Sequence, residues 1–119
     1  MVAPTAGTVV LIPFPFSNMS NSKLRPAVVL AGVGRDDWIL CQITSNPYAD
    51  AQAVTITSDS FMQGSLQRTS YARPGKLFTA NSQLIVAQVG VLTTETLQVI
   101  IDRVVHILHH ALHTRQSSS

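Results

Sequence analysis

The residues best suited to chemistry are cations and hydroxyls at the ends of apolar segments. Lys23 and Arg25 leave a polar loop rich in Ser and Asn, and Arg25 stands directly before Pro26. Thr44 and Ser45 close the apolar run that begins at Trp38, while Arg73 and Lys76 flank a Pro74-Gly75 bend. A residue before proline is biased toward extended backbone, which restricts where the Arg25 side chain can start. A guanidinium matches phosphate oxygens two at a time, and a threonine hydroxyl can donate beside it. If these strand ends meet on one rim, they form a place to hold a phosphate. Residue types alone also allow Arg25 to be a surface cation or ion-pair partner, and Thr44 a turn former.

Other chemistries have weaker support. His106 with His110, and His109 with His113, stand at i, i+4, a spacing that can offer two imidazoles to one metal. All four fall opposite the apolar stripe of their helix, and no Cys or carboxylate completes a ligand set, so no metal site and no cofactor is expected. Cys41 lies in mid-strand on an apolar face, with no glycine-flanked serine elbow or glycine-rich phosphate loop elsewhere. The acids Asp36, Asp37, Asp50, Asp59, Glu95 and Asp102 are scattered, which disfavours a paired-carboxylate mechanism.

The elements that must position the candidates follow from the pattern. Thr8–Ile12 is rich in β-branched residues and is expected to end at Pro13. A second strand spans about Pro26–Ala31, and Gly32–Asp37 reads as a hairpin turn. In the third strand, Trp38–Thr44, alternation places Ile39, Cys41 and Ile43 on one face and Trp38, Leu40, Gln42 and Thr44 on the other. Ala53–Thr57 is a short half-buried strand, Ser58–Ser60 a helical turn, and Ser70–Arg73 and Lys76–Thr79 are strand pieces bent at Pro74-Gly75. Leu84–Val89 reads as a further strand ended by Gly90. From Thr93 or Thr94 to about His113, Leu97, Ile100, Ile101, Val104, Val105, Leu108, Ala111 and Leu112 share one helical face, which should lie on the sheet. The connections are too short for helical crossovers, so the strands should be antiparallel. The expected fold is mainly β with a C-terminal α-helix, one domain over residues 1–119 with its core at about 7–112 and a frayed tail at 114–119.

Only 12% of the 119 residues are charged, roughly half the share in an average domain, so part of the surface is expected to be covered by a partner, most simply a second copy. A net charge of +2 excludes a uniformly basic protein; any nucleic-acid site must be a local cluster of cations. The single cysteine fits a reducing compartment, and no signal-peptide core or membrane-length apolar run is present, which together imply a cytoplasmic protein that does not enter membranes.

Gly7-Thr-Val-Val-Leu-Ile-Pro-Phe-Pro-Phe-Ser, Ser22-Lys-Leu-Arg-Pro-Ala-Val-Val-Leu and Ile39-Leu-Cys-Gln-Ile-Thr-Ser together resemble the PemK/MazF toxins, and the PemK-like branch in particular. Ser70-Tyr-Ala-Arg-Pro-Gly-Lys-Leu-Phe-Thr and Val89-Gly-Val-Leu extend the resemblance over roughly residues 7–112. It implies an SH3-like small antiparallel β-barrel (PemK/MazF/CcdB-like), a homodimer, and the toxin of a type II toxin–antitoxin system. The implied activity is metal-independent, sequence-selective cleavage of single-stranded RNA, commonly mRNA, with a cognate antitoxin whose disordered segment lies across the RNA site. The active pair carried over by the motifs is Arg25 and Thr44. Ser22, Lys23, Ser45, Ser70, Arg73 and Lys76 would line the RNA groove, with Phe14 or Phe16 available to stack on a base. Thr8, the loop before Arg25 and Ser70 lack acids that many members carry. The alternative is a non-catalytic binding module of the same architecture, either a gyrase-inhibitor type of poison or an RNA binder, since fold does not fix function.

Overall fold

The computed structural model describes residues 3–14 and 23–117. Seven strands form one antiparallel sheet: β1 (Thr8–Phe14), β2 (Lys23–Gly34), β3 (Asp37–Thr44), β4 (Val54–Ile56), β5 (Phe61–Gly64), β6 (Ser70–Asn81) and β7 (Ala87–Leu92). Their order is β4-β6-β3-β2-β1-β7-β5, and the helix α1 (Thr94–Ser117) follows. The result is a half-barrel, with β4 and β5 at its two edges.

β1 runs through Pro13 to Phe14 instead of ending at the proline. β7 pairs with β1 only as far as Leu11, so Pro13 has a ladder partner on the β2 side alone, Leu24, and its missing N–H breaks nothing. The β2–β3 hairpin turns at Arg35-Asp36, both with positive φ (56° and 62°), as a two-residue type I′ turn requires. β6 is one strand rather than two pieces. Cys41 pairs with Leu77 and Ile43 with Ala72, so residues 73–76 form a wide bulge around the buried Pro74, which has no N–H to give a ladder.

β7 lies three residues later than expected because Asn81 accepts from the Gln83 N–H (3.0 Å) and starts a 3₁₀ turn at Ser82–Leu84. Gly90 then sits inside the strand, where it must pair with both Val9 and Gly64. A Cβ at Gly64 would lie 2.2 Å from the Val89 carbonyl oxygen, so this crossing admits only glycine. β5 was not expected: its sequence, Phe-Met-Gln-Gly, carries no β signal beyond Phe61.

Alternation along β1, β2 and β3 sends neighbouring residues into two separate cores. Val9, Val28, Cys41 and Ile43 join Ile56, Leu92 and Ile100 on the face covered by α1. Val10, Ile12, Ala27, Val29 and Leu40 join Phe14, Ala80 and Ile85 on the other, with Trp38 and Phe78 against them. Thr93 caps α1, its hydroxyl accepting from the Thr96 N–H at 3.2 Å. Arg103 ties the helix to the chain before β4 by donating to the carbonyls of Gln52 (3.2 Å) and Ala53 (2.7 Å).

The apolar stripe of α1 is used only over its first turns. Ile100 is fully buried, whereas Leu108 (64%) and Leu112 (53%) are exposed, because the helix continues to Ser117, past the edge of the sheet. That also replaces the expected end near His113. His106, His109, His110 and His113 are exposed, with the rings of His106 and His110 stacked 6.0 Å apart. No group of three or more His, Cys, Asp or Glu among the described residues is arranged to hold a metal ion.

Candidate nucleic-acid interface

The second core has an apolar end and a polar end. Ala27 pairs with Gln42 and Val29 with Leu40, so continuing the antiparallel register brings Arg25 alongside Thr44. On the other side of β2, Arg25 pairs with Ile12 and Lys23 with Phe14. Arg25, Gln42 and Thr44 therefore extend the same face as Val29 and Leu40, beyond the point where that core is closed.

Two clefts meet at Arg25. One, of about 340 Å³, is lined by Lys23, Arg25, Thr44, Ser45, Arg68 and Ser70, with Leu24, Pro26, Ile43, Leu66 and Gln67. The other, of about 470 Å³, is lined by Arg25, Gln42, Tyr48 and Lys76, with Phe14, Leu77 and Phe78. No Asp or Glu lines either among the described residues, and the side chains of Lys23, Arg25, Arg68 and Lys76 have no ion-pair or hydrogen-bond partner there. Four cations without a side-chain partner among the described residues, on two adjoining clefts, make a local positive field in a chain whose net charge is only +2.

The hydroxyls divide by what already engages them. Thr44 is 7% exposed and its Oγ1 accepts from the Asn46 N–H at 3.1 Å, which leaves its own hydrogen to donate into the cleft. Ser45 is exposed beside it. Ser70 is buried, and its Oγ donates to the Arg68 carbonyl at 3.0 Å; its part is to hold the segment that carries Arg68. Ser22 and Phe16 lie outside the described residues.

Arg73 is placed differently from the other cations. Its Nε donates to Asp50 Oδ2 at 3.1 Å, and its guanidinium lies 5.0 Å from the centre of the Tyr48 ring, so it lines neither cleft. The Asp50 carboxyl is held below the usual carboxylate range, chiefly by the Gln52 N–H (2.9 Å) and then by Arg73. Cys41 faces the opposite core and donates to the Arg73 carbonyl at 3.1 Å; burial pushes its thiol up to about 12, so no thiolate is available.

Arg68 escaped sequence reasoning because it stands alone among Gln, Thr and Ser, and Tyr48 because an exposed tyrosine in a loop carries no periodic signal. Gln42 was legible as a neighbour of Thr44 on one strand face, though not as a cleft residue.

The model of the PemK-like, MazF-like toxins of type II toxin–antitoxin systems matches residues 5–108. The chain belongs to this family. Among solved structures, a mycobacterial endoribonuclease in complex with its cognate antitoxin is 17% identical, aligned over 92% of this chain and 96% of that one with a TM-score of 0.69. MazE–MazF from Deinococcus radiodurans is 16% identical over 91% and 98%, with a TM-score of 0.73. A MazF toxin of Mycobacterium tuberculosis is 14% identical over 82% and 91%, with a TM-score of 0.64. These likenesses establish a shared fold for this PemK/MazF chain. No curated protein matches its sequence. No helix among its described residues is long and apolar enough to cross a membrane.

Proposed function

We propose that this toxin is a metal-independent, sequence-selective endoribonuclease that cleaves single-stranded RNA, with mRNA as its cellular substrate. The observation that carries this reading is the juxtaposition of Arg25 and Thr44 in a cleft that cations, and no acids among the described residues, line. The 2'-OH attacks its own adjacent phosphorus, the P–O5' bond breaks, and the products end in a cyclic 2',3'-phosphate and a free 5'-OH. In the open cleft the 2'-OH proton passes to water, and water returns one to the departing O5'. Arg25 places charge and two donors on the phosphorane-like oxygens, and Thr44 donates a hydrogen bond to the same group, with Ser45 beside it. Arginine holds its proton to above pH ~12, so Arg25 acts as an electrostatic group and not as a base.

A cognate antitoxin is the proposed protein partner; the mycobacterial neighbour is itself an endoribonuclease bound to its cognate antitoxin. The toxin is proposed to work as a cytoplasmic homodimer, which would cover apolar side chains left open on one copy, among them Leu108 and Leu112. Sedimentation showing only monomer at micromolar concentration would count against the dimer.

The test of the activity is incubation of the protein with a long mixed-sequence RNA in excess EDTA, beside Arg25→Ala. Cleavage that persists in chelator and is lost in the variant supports the reading. No cleavage by folded wild-type protein would replace it with a non-catalytic binding module.

A further inference from the structure

The larger cleft beside Arg25 differs from the smaller one in what lines it. Where the smaller carries hydroxyls and cations, the larger has an aromatic wall and a side-chain amide. Phe14 and Phe78 meet edge to face there, with ring centres 4.9 Å apart and planes at 75°, and stiffen its floor. Gln42 projects from the same strand face as Thr44, and its amide has no partner among the described residues. It offers one donor direction and one acceptor direction side by side.

Tyr48 supplies the rim. It is 56% exposed, yet far from loosely held. Its φ is 53°, as is that of Ala49, a left-handed conformation that side chains other than glycine seldom adopt and that persists only where surrounding contacts impose it. Those contacts are present: the Tyr48 N–H donates to Asn46 Oδ1 at 2.9 Å, the Asn46 N–H donates to Thr44, and the Arg73 guanidinium sits against the ring. Arg73 is in turn fixed by Asp50. An aromatic ring is thus anchored through the residue that holds the reacting phosphate, and displayed to solvent over a cleft that can admit a planar ring.

From this arrangement we infer that the larger cleft is a nucleobase pocket for a nucleotide flanking the scissile phosphate. Tyr48 is its stacking platform, Gln42 reads the hydrogen-bonding edge of the base, and Lys76 meets the neighbouring phosphate. The inference rests on the RNA-cleaving reading of the adjoining cleft and gives that site its sequence selectivity. Single-stranded RNA suits it because unstacked bases are free to lie on aromatic rings while side chains read their edges. In this arrangement Arg73 is a positioning residue acting through Tyr48.

The test combines cleavage with binding. Wild type, Tyr48→Ala, Tyr48→Phe and Gln42→Leu are each incubated with a random-sequence RNA pool, and the bases around the cut are read by sequencing. Tyr48→Ala should lower the rate roughly tenfold to hundredfold, as for loss of one base–aromatic stack, and Tyr48→Phe should restore it. Gln42→Leu should erase base preference at one position next to the cut and leave the others intact. An RNA with a single abasic nucleotide at that position should cost wild type about as much as Tyr48→Ala does, and cost Tyr48→Ala nothing further. Unchanged base preferences in Gln42→Leu, or full additivity between the abasic site and Tyr48→Ala, would overturn the pocket. If wild type cuts no RNA, the nuclease reading fails separately, and affinities for short 2'-deoxy-substituted oligonucleotides decide the pocket. Base-dependent affinity lost in Tyr48→Ala sustains it, and base-independent affinity overturns it.

Discussion

Arg25 and Arg73 stand near the same rim, and both were expected to contact RNA, yet their surroundings are opposite. Arg25 is half-buried at the junction of two clefts that no acid lines among the described residues. Arg73 is equally sheltered but spends its donors on Asp50 and its face on Tyr48. A guanidinium beside a carboxylate is already neutralised and gives little to an incoming phosphate. One without a partner keeps its field for the substrate, and the cost of leaving it unpaired is met by packing elsewhere. The comparison separates a residue that meets the reacting group from one that builds the wall next to it.

The sharpest way to extend this difference is at Thr44. Replacing it with Val removes a hydroxyl donor beside Arg25 and should lower the cleavage rate by ~10²- to 10³-fold in a single-turnover assay, while Thr44→Ser should retain most activity. On the Arg73 side the expected loss is in stability. Asp50→Asn should cost about 1 kcal/mol, read as a drop of a few degrees in the thermal midpoint, with cleavage reduced far less than in Thr44→Val.

The same pair sets a pH dependence. The Asp50 carboxyl is depressed in the folded protein, so the folded state binds fewer protons than the unfolded chain as pH falls through the carboxylate range. Its stabilisation is complete above the ordinary value near ~4 and is lost at lower pH. The thermal midpoint of wild type should therefore fall more steeply below pH ~4 than that of Asp50→Asn. The smallest effect is expected at Arg68, which adds one cation to the smaller cleft: Arg68→Ala should weaken RNA binding several-fold and reduce the slope of log K against log salt by about 0.7.

Much of this was legible in the residues. The Arg25-Pro26 step and Thr44 at the end of an alternating strand are local signals, and the antiparallel register needed only a tight hairpin to bring them together. The two-faced burial of the third strand followed from its alternation. The role of Arg73 was not legible, because its partner lies 23 residues away in a loop and no local rule links them. β5 stayed hidden because Gly64 is required by a close crossing with Gly90, where strand propensity would argue against glycine. The 3.6-residue stripe marks the helix as amphipathic, but periodicity cannot say where the sheet beneath it ends. Leu108 and Leu112 repeat the pattern of Ile100 and Ile101 without finding the same floor.

Arg25→Ala and Arg73→Ala, compared in one experiment, test the central claim most directly: each is measured for single-turnover cleavage of a mixed-sequence RNA in EDTA and for its thermal midpoint. The expected result is a crossed pattern, with Arg25→Ala losing ~10²-fold or more in rate at an unchanged midpoint, and Arg73→Ala losing stability while keeping a substantial share of its rate. Near-wild-type cleavage by folded Arg25→Ala, or equal loss of chemistry in both variants at unchanged stability, would contradict it.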